Sequence, residues 1–321
     1  MYKYTINGRD YSAILPIEEE LAVDAGKNYL FDLSYLTIIA LEGANAAAFL
    51  QGQLTCDVTK VGIDTIRQGL FCNLKGRILA STDVISWQGY KLVIPADLAA
   101  DTHKSLATAA MLSRVSMSQC GDYAIWGLYC PDKNNISLPE LQLPEPYCLH
   151  DNGRMCCYSI ADDFYIMAVK KEHSVDLTTN TDTEVRGSLA WHMLQLQRPR
   201  IEIYPSTRGL FLPHRLDLHK HNYISFNKGC YKGQEIIART HYRAKLKHDL
   251  KTFEIVSSEP VNAGMKLFAP DSADVEVGEI VDICPVGNNR YLMAVSILVE
   301  HPAEARLENS AELIKLMQVG L

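Results

Sequence analysis

Asn227 to Glu235 reads N-K-G-C-Y-K-G-Q-E, one cysteine set between two glycines and two lysines and followed by a segment with helical spacing. In that position Cys230 precedes a helix N-terminus, where the macrodipole and the ammonium groups of Lys228 and Lys232 favour thiolate over thiol. A nucleophilic, redox or transient metal-ligand role follows from that reading. The alternative is a small residue that a tight turn tolerates. From Lys228 to Lys247 the cations are Lys228, Lys232, Arg239, Arg243, Lys245 and Lys247, against the single acid Glu235. Within Gly233 to Tyr242, Ile236, Ile237 and Thr240 share one face of a short helix, with Arg239 and Arg243 on a common side. The sequence has no G-x-x-x-x-G-K-[ST], H-E-x-x-H or G-x-S-x-G motif, so nucleoside-triphosphatase and hydrolase chemistry lack motif support, as do zinc sites.

The elements that must position this loop alternate between strand and helix. Residues 42–58 read as a helix interrupted at Gly52, flanked by strands at 35–43, 69–87 and 90–95. A second helix is expected over 97–115 behind an Asp97 cap, and a third across Leu189 to Leu196, ending before Pro199. His192 on that helix reads as a surface or satisfied core histidine. After Leu250 the texture changes to short strands split by Pro and Gly-Asn-Asn turns, which predicts a small antiparallel barrel.

Composition narrows the function classes. At 321 residues the chain is long enough for two or three packed units, and 47% hydrophobic with 21% charged residues is ordinary for a globular protein. The net charge of −7 supplies no global attraction for phosphate backbones or anionic membranes, so direct nucleic-acid contact is not expected beyond a local one. No apolar run approaches the ~18–20 residues of a membrane span, and the first residues lack a leader pattern, which leads us to expect a cytoplasmic protein. Nine scattered cysteines without a C-x-x-C pair suit a reducing compartment, and neighbouring Cys156 and Cys157 on a strand point to opposite faces, as core packing does. Nothing in the sequence requires more than a monomer.

Three stretches carry a resemblance. F-N-K-G-C-Y-K-G-Q-E-I-I-A-R (226–239) is similar to the K-G-C-Y-x-G-Q-E signature of the YgfZ family of folate-binding proteins, relatives of the glycine-cleavage T-protein. F-L-Q-G-Q-L-T-C-D-V (49–58) with N-L-K-G-R-I-L (73–79), and F-L-P-H-R-L-D-L (211–218), resemble further family segments. The resemblance implies an α+β cloverleaf of three subdomains around a folate pocket: residues 1–245 as the folate-binding region of two α/β subdomains, and 246–321 as a C-terminal β-barrel. It implies tetrahydrofolate or a one-carbon derivative as ligand, and iron–sulfur client enzymes, including one that thiomethylates tRNA, as partners. On the signature, Cys230 and Lys228 take the reactive positions, and Tyr231, Gln234, Glu235 and Arg239, with Gln195, the folate-binding ones. Two departures matter. No carboxylate stands between Gly76 and Asp83, where aminomethyl-transferring relatives carry acids, and Gln195 replaces the glutamate of an E-A-G-x-P run. A folate-dependent aminomethyltransferase and an RNA-binding module are the two alternatives to a folate-binding accessory factor.

Overall fold

The computed structural model describes residues 1–319 except 137, 139, 140, 180–182 and 199. Its helices are α1 (Ile17–Glu20), α2 (Ala46–Gln53), α3 (Ala96–Leu112), α4 (Ser174–Thr179), α5 (Ser188–Leu196) and α6 (Gln234–Arg243). A hairpin pairs Tyr2–Ile6 with Arg9–Ala13. A five-stranded antiparallel sheet runs in the order Arg67–Cys72, Ile78–Ser86, Tyr90–Pro95, Leu36–Glu42, Ser116–Cys120. A six-stranded sheet is ordered Leu149–Asp151, Met155–Ala161, Phe164–Lys170, Tyr123–Tyr129, Tyr29–Asp32, Glu184–Arg186, antiparallel except for its last pair. Helix α3 buries Leu98, Ala99, Thr102, Leu106 and Ala110 along one face, the spacing that three- and four-residue steps on a helix impose, and packs on the five-stranded sheet.

The C-terminal strands form a seven-stranded antiparallel sheet: Leu313–Lys315, Glu304–Leu307, Lys266–Ala269, Ser272–Gly287, Arg290–Leu298, His248–Val256, Met317–Gln318. The expected closed barrel is not confirmed. Leu313–Lys315 pairs with Glu304–Leu307 while Met317–Gln318 pairs with His248–Val256, so the end of the chain reaches both edges, but no ladder between the two edge strands closes the sheet among the described residues. The helix expected over 42–58 is also shorter, because the chain leaves helical geometry at Leu54, which bridges to Phe71. Cys156 and Cys157 behave as their alternation requires, each packing into a different apolar cluster on the two sides of its sheet.

Helix α5 lies between the hairpin, the six-stranded sheet and the C-terminal sheet, and eight of its nine residues are buried. Pro199, expected to limit it, lies outside the described residues. A buried charge cluster joins these layers. Arg9, 3% exposed, donates from Nε and Nη2 to the Asp97 carboxylate at 2.9 Å each, from Nη1 to Glu202 Oε2 at 2.8 Å and from Nη2 to Ile203 O at 2.7 Å. Asp282 accepts from Glu202 N at 2.7 Å and from Tyr204 Oη at 2.6 Å, and His192 Nε2 lies 2.8 Å from Ile283 O and 3.3 Å from Asp282. His192 is therefore a satisfied core histidine. Burial opposes its charge most strongly, but the Asp282 carboxylate, the Ile283 carbonyl and Glu202 together outweigh burial and hold the imidazole pKa above its ordinary value. Replacing Arg9 with Ala removes the charged hydrogen bonds to Asp97 and Glu202, of which Asp97 is exposed and Glu202 keeps Tyr35 Oη, and urea denaturation should show a loss of about 1.5–3 kcal/mol. A loss below about 1 kcal/mol would mean the cluster is energetically idle.

Candidate functional site

The loop bearing Cys230 is built on the end of α2. Lys228 Nζ donates to the carbonyl oxygens of Gln51 (2.8 Å), Leu54 (2.7 Å) and Cys56 (2.6 Å), and Lys232 N donates to Gly52 O at 3.1 Å. A helix C-terminus leaves such carbonyls unpaired and carries partial negative charge, so a cation placed there satisfies both. The rest of the 49–58 motif locks this arrangement. Gln51 accepts from Val58 N at 2.7 Å and donates to Asp57 at 3.0 Å, while Asp57 accepts from Thr59 N at 3.2 Å. Thr55 Oγ1 donates to Tyr223 O at 2.6 Å and accepts from Leu70 N at 2.9 Å, and Ser225 N donates to Thr55 O at 2.9 Å. Residues 223–232 are thus clamped along 51–56.

The third segment closes the clamp from below. In the 73–77 turn, Asn73 Oδ1 accepts from Lys75 N at 2.9 Å and Arg77 N at 3.0 Å, and Gly76 has φ +70°. Gly233, at the N-cap of α6 with φ +85°, sits so close that an added Cβ would lie 2.5 Å from Asn73 O; one at Gly76 would lie 3.1 Å from Ile237. Only glycine meets both the left-handed backbone and the close approach.

Cys230 is exposed on this loop. Burial draws the Lys228 pKa down to about 8, which leaves it cationic at neutral pH, but its three donors are all occupied by carbonyls. Among the described residues no hydrogen bond or ion pair joins it to Cys230, so the ammonium expected to assist the thiolate acts as a clasp. Tyr231 is buried beneath it, with Lys228 Nζ 5.0 Å from the ring centroid, and burial raises its phenol pKa. Gln234 is turned to its own loop, accepting from Tyr231 N at 3.3 Å, and Glu235 and Arg239 are exposed on α6.

Gln195 stands apart from that group, in a cleft between the sheets. A cavity of about 520 Å³ bordered by Cys56, Arg67, Gln68, Tyr147 and Ser225 shares Gln68 and Tyr147 with one of about 110 Å³ bordered by Phe164, Arg198 and His221. The latter shares Gln195, Arg200 and Tyr223 with a recess of about 40 Å³ that reaches Asp83 and Glu202. Tyr231, Gln234, Glu235 and Arg239 do not line these cavities. At the recess, Asp83 accepts from Gln68 Nε2 (2.9 Å), Tyr158 Oη (3.1 Å) and Arg200 Nη2 (3.1 and 3.0 Å to its two oxygens). Gln195 Nε2 and Arg200 Nη1 are buried donors without a partner among the described residues. Sequence reasoning named Asp83 only as the end of a stretch without carboxylates, and missed Gln68, Tyr158, Arg200 and Tyr223. A lone acid in an apolar strand was the available signal.

The 211–218 segment contributes His214 to a cluster with His219 and with His241 of α6. His214 is 1% exposed, neither ring nitrogen has a partner among the described residues, and its ring lies 4.8 Å from His219, 5.9 Å from His241 and 6.3 Å from Phe226 between centroids. Burial, reinforced by the two neighbouring histidines, lowers its pKa to about 4.

In sequence the chain is 26% identical over 229 residues to the tRNA-modifying protein YgfZ of Colwellia psychrerythraea, spanning 70% of this chain and 71% of that protein. It is 25% identical over 239 residues to the YgfZ of Vibrio atlanticus, spanning 72% and 70%. The chain resembles the tRNA-modifying YgfZ proteins. No family profile matches it. In structure it shares the fold of the glycine cleavage system aminomethyltransferase T from Bartonella henselae, with a TM-score of 0.68 at 16% identity over 98% of this chain and 92% of that one. The stretches that carry the YgfZ resemblance are the ones that meet here: 49–58 and 73–79 hold the loop and N-terminus of 226–239, and 211–218 packs beneath its helix.

Gly233→Ala should cost about 1–3 kcal/mol in chemical denaturation, whereas Gly229→Ala, whose Cβ would meet nothing within 4 Å, should stay within about 0.5 kcal/mol of wild type. Equal effects would refute the docking of α6 on the 73–77 turn. His214 is held below its unfolded pKa, so the stability it contributes is full above that value and is lost as pH falls toward about 4. His214→Phe should flatten the decline in stability across that acid window; an unchanged profile would assign the acid sensitivity to other groups.

Proposed function

We propose that this chain is a folate-binding accessory factor in tRNA modification, which serves assembly or repair of iron–sulfur clusters in client enzymes through the Cys230 thiol. The observation that carries the folate reading is the pair of buried donors without a partner among the described residues, Gln195 Nε2 and Arg200 Nη1, on a cleft bordered by Tyr147, Phe164 and Tyr223. Buried donors without partners are costly, and a pterin with ring-nitrogen and carbonyl acceptors would satisfy them. Tetrahydrofolate, when bound, is a carrier of one-carbon units. Gln195, Arg198 and Arg200 would hold it by hydrogen bonds and charge, and the three aromatic rings would border it.

Two features favour an accessory role over aminomethyl transfer. Asp83 is occupied by Arg200, Gln68 and Tyr158, so it is not a free base, and the exposed Cys230 belongs to the outer loop and does not line the cleft. An exposed thiol held on a rigid loop suits exchange with a partner protein. The role in tRNA modification rests on the YgfZ relatives, whose name states it. In this reading residues 1–245 supply the folate-binding region and 246–321 a C-terminal unit.

Calorimetric titration with tetrahydrofolate should give micromolar binding by wild type, weakening of roughly tenfold in Gln195→Leu, and unchanged binding in Cys230→Ala. In a strain lacking the protein, Cys230→Ala should fail to restore the activity of dependent iron–sulfur enzymes. Absence of folate binding by wild type would defeat the cofactor half of the proposal, and full rescue by Cys230→Ala would defeat the thiol half.

A further inference from the structure

The net charge argued against nucleic-acid contact except at a local site, and the structure displays one candidate surface. We propose that the exposed face of α6 and the segment after it, Arg239 to Lys247, binds single-stranded RNA. Arg239, Arg243, Lys245 and Lys247 are exposed, and none forms an ion pair among the described residues. Arg239 and Arg243, one turn apart, share a side of the helix. Lys232 at the start of α6 and exposed Lys75 on the turn packed beneath it extend the cationic surface, and Glu235 is the only acid between Lys228 and Lys247. Unpaired cations gathered in one short stretch of a chain with net charge −7 make a local positive field that attracts a polyanionic partner.

The aromatic side chains select among polyanions. Tyr242 is 67% exposed and sets its edge against His241 at 4.8 Å, and exposed His241 stacks on Phe226 at 3.8 Å. Phe226 is partly buried against the main core, so the two outer rings are propped from beneath. Unpaired bases stack on such rings between phosphate-binding cations, whereas a duplex keeps its base faces covered and an acidic polypeptide needs the cations alone. Cys230 lies four residues before the other end of the same helix, whose ten residues span roughly 15 Å by helical rise. RNA held at the C-terminal end of α6 would reach the thiol only by running the length of the helix.

The test is fluorescence anisotropy with a labelled oligouridine and an RNA duplex of equal length. Oligouridine should bind more tightly than the duplex, and its affinity should fall roughly 20- to 50-fold between about 50 and about 200 mM salt if three or four phosphates are contacted. The combined variant Arg243→Glu, Lys245→Glu and Lys247→Glu should lose at least about tenfold in affinity, and Tyr242→Ala roughly tenfold for oligouridine alone. Tetrahydrofolate titration of both variants, expected to match wild type, shows that they are folded and keeps this test separate from the cofactor proposal. No oligouridine binding at about 50 mM salt would overturn the inference. So would equal binding of the duplex, or competition by polyglutamate as effective as RNA with no effect of Tyr242→Ala; that last result would reassign the surface to an acidic polypeptide.

Discussion

The buried guanidinium of Arg9 is the interaction on which the architecture around the cleft depends. It draws Asp97 at the start of α3 and Glu202 after α5 to the N-terminal hairpin, and the backbone of Glu202 in turn reaches Asp282 in the C-terminal sheet. Four distant parts of the chain meet through charged groups that run from buried Arg9 and Asp282, through half-buried Glu202, to Asp97 at the solvent edge. Buried charges are tolerated only when each finds a partner, so the cluster penalises any arrangement that separates one of the layers. Its consequence reaches the cleft directly. Asp282 and Ile283 hold His192, and Gln195 lies three residues further along the same buried helix, where it lines the cavities.

The same economy of charge explains the outer loop. Lys228 looked like the electrostatic partner of Cys230 because they are neighbours in sequence, yet its ammonium turns inward to the carbonyls that α2 leaves unpaired. Helix ends demand partners, and a lysine on a passing loop supplies three donors at once. The loop is thereby held in a defined place while the thiol stays in solvent. A residue that reads as chemical serves the structure that presents Cys230.

Cleft and loop are complementary in character. The cleft is a polar interior with its carboxylate already matched, leaving amide and guanidinium hydrogens unpartnered among the described residues. The loop is an exposed edge, rimmed by cations and anchored on glycines that allow backbone to lie against backbone. The two lie close together, because α2 with its following residues 54–56 borders both.

Much of this was legible in the sequence. Hydrophobic periodicity located α3, α5 and α6 and the strands of the C-terminal sheet; the opposed burial of Cys156 and Cys157 followed from strand alternation, and the three motifs marked the segments that meet around Cys230. Local pattern is enough there because the period of a helix or strand is a property of consecutive residues. What tertiary structure decided were pairings across long separations: Lys228 with the end of α2, Arg200 with Asp83, Arg9 with Glu202, and the strand edges that stop short of a closed barrel among the described residues. A charged side chain's sequence neighbours do not determine which distant backbone or carboxylate will desolvate beside it, and that choice turned the expected reactive lysine into a clasp and an unremarked arginine into a wall of the cleft.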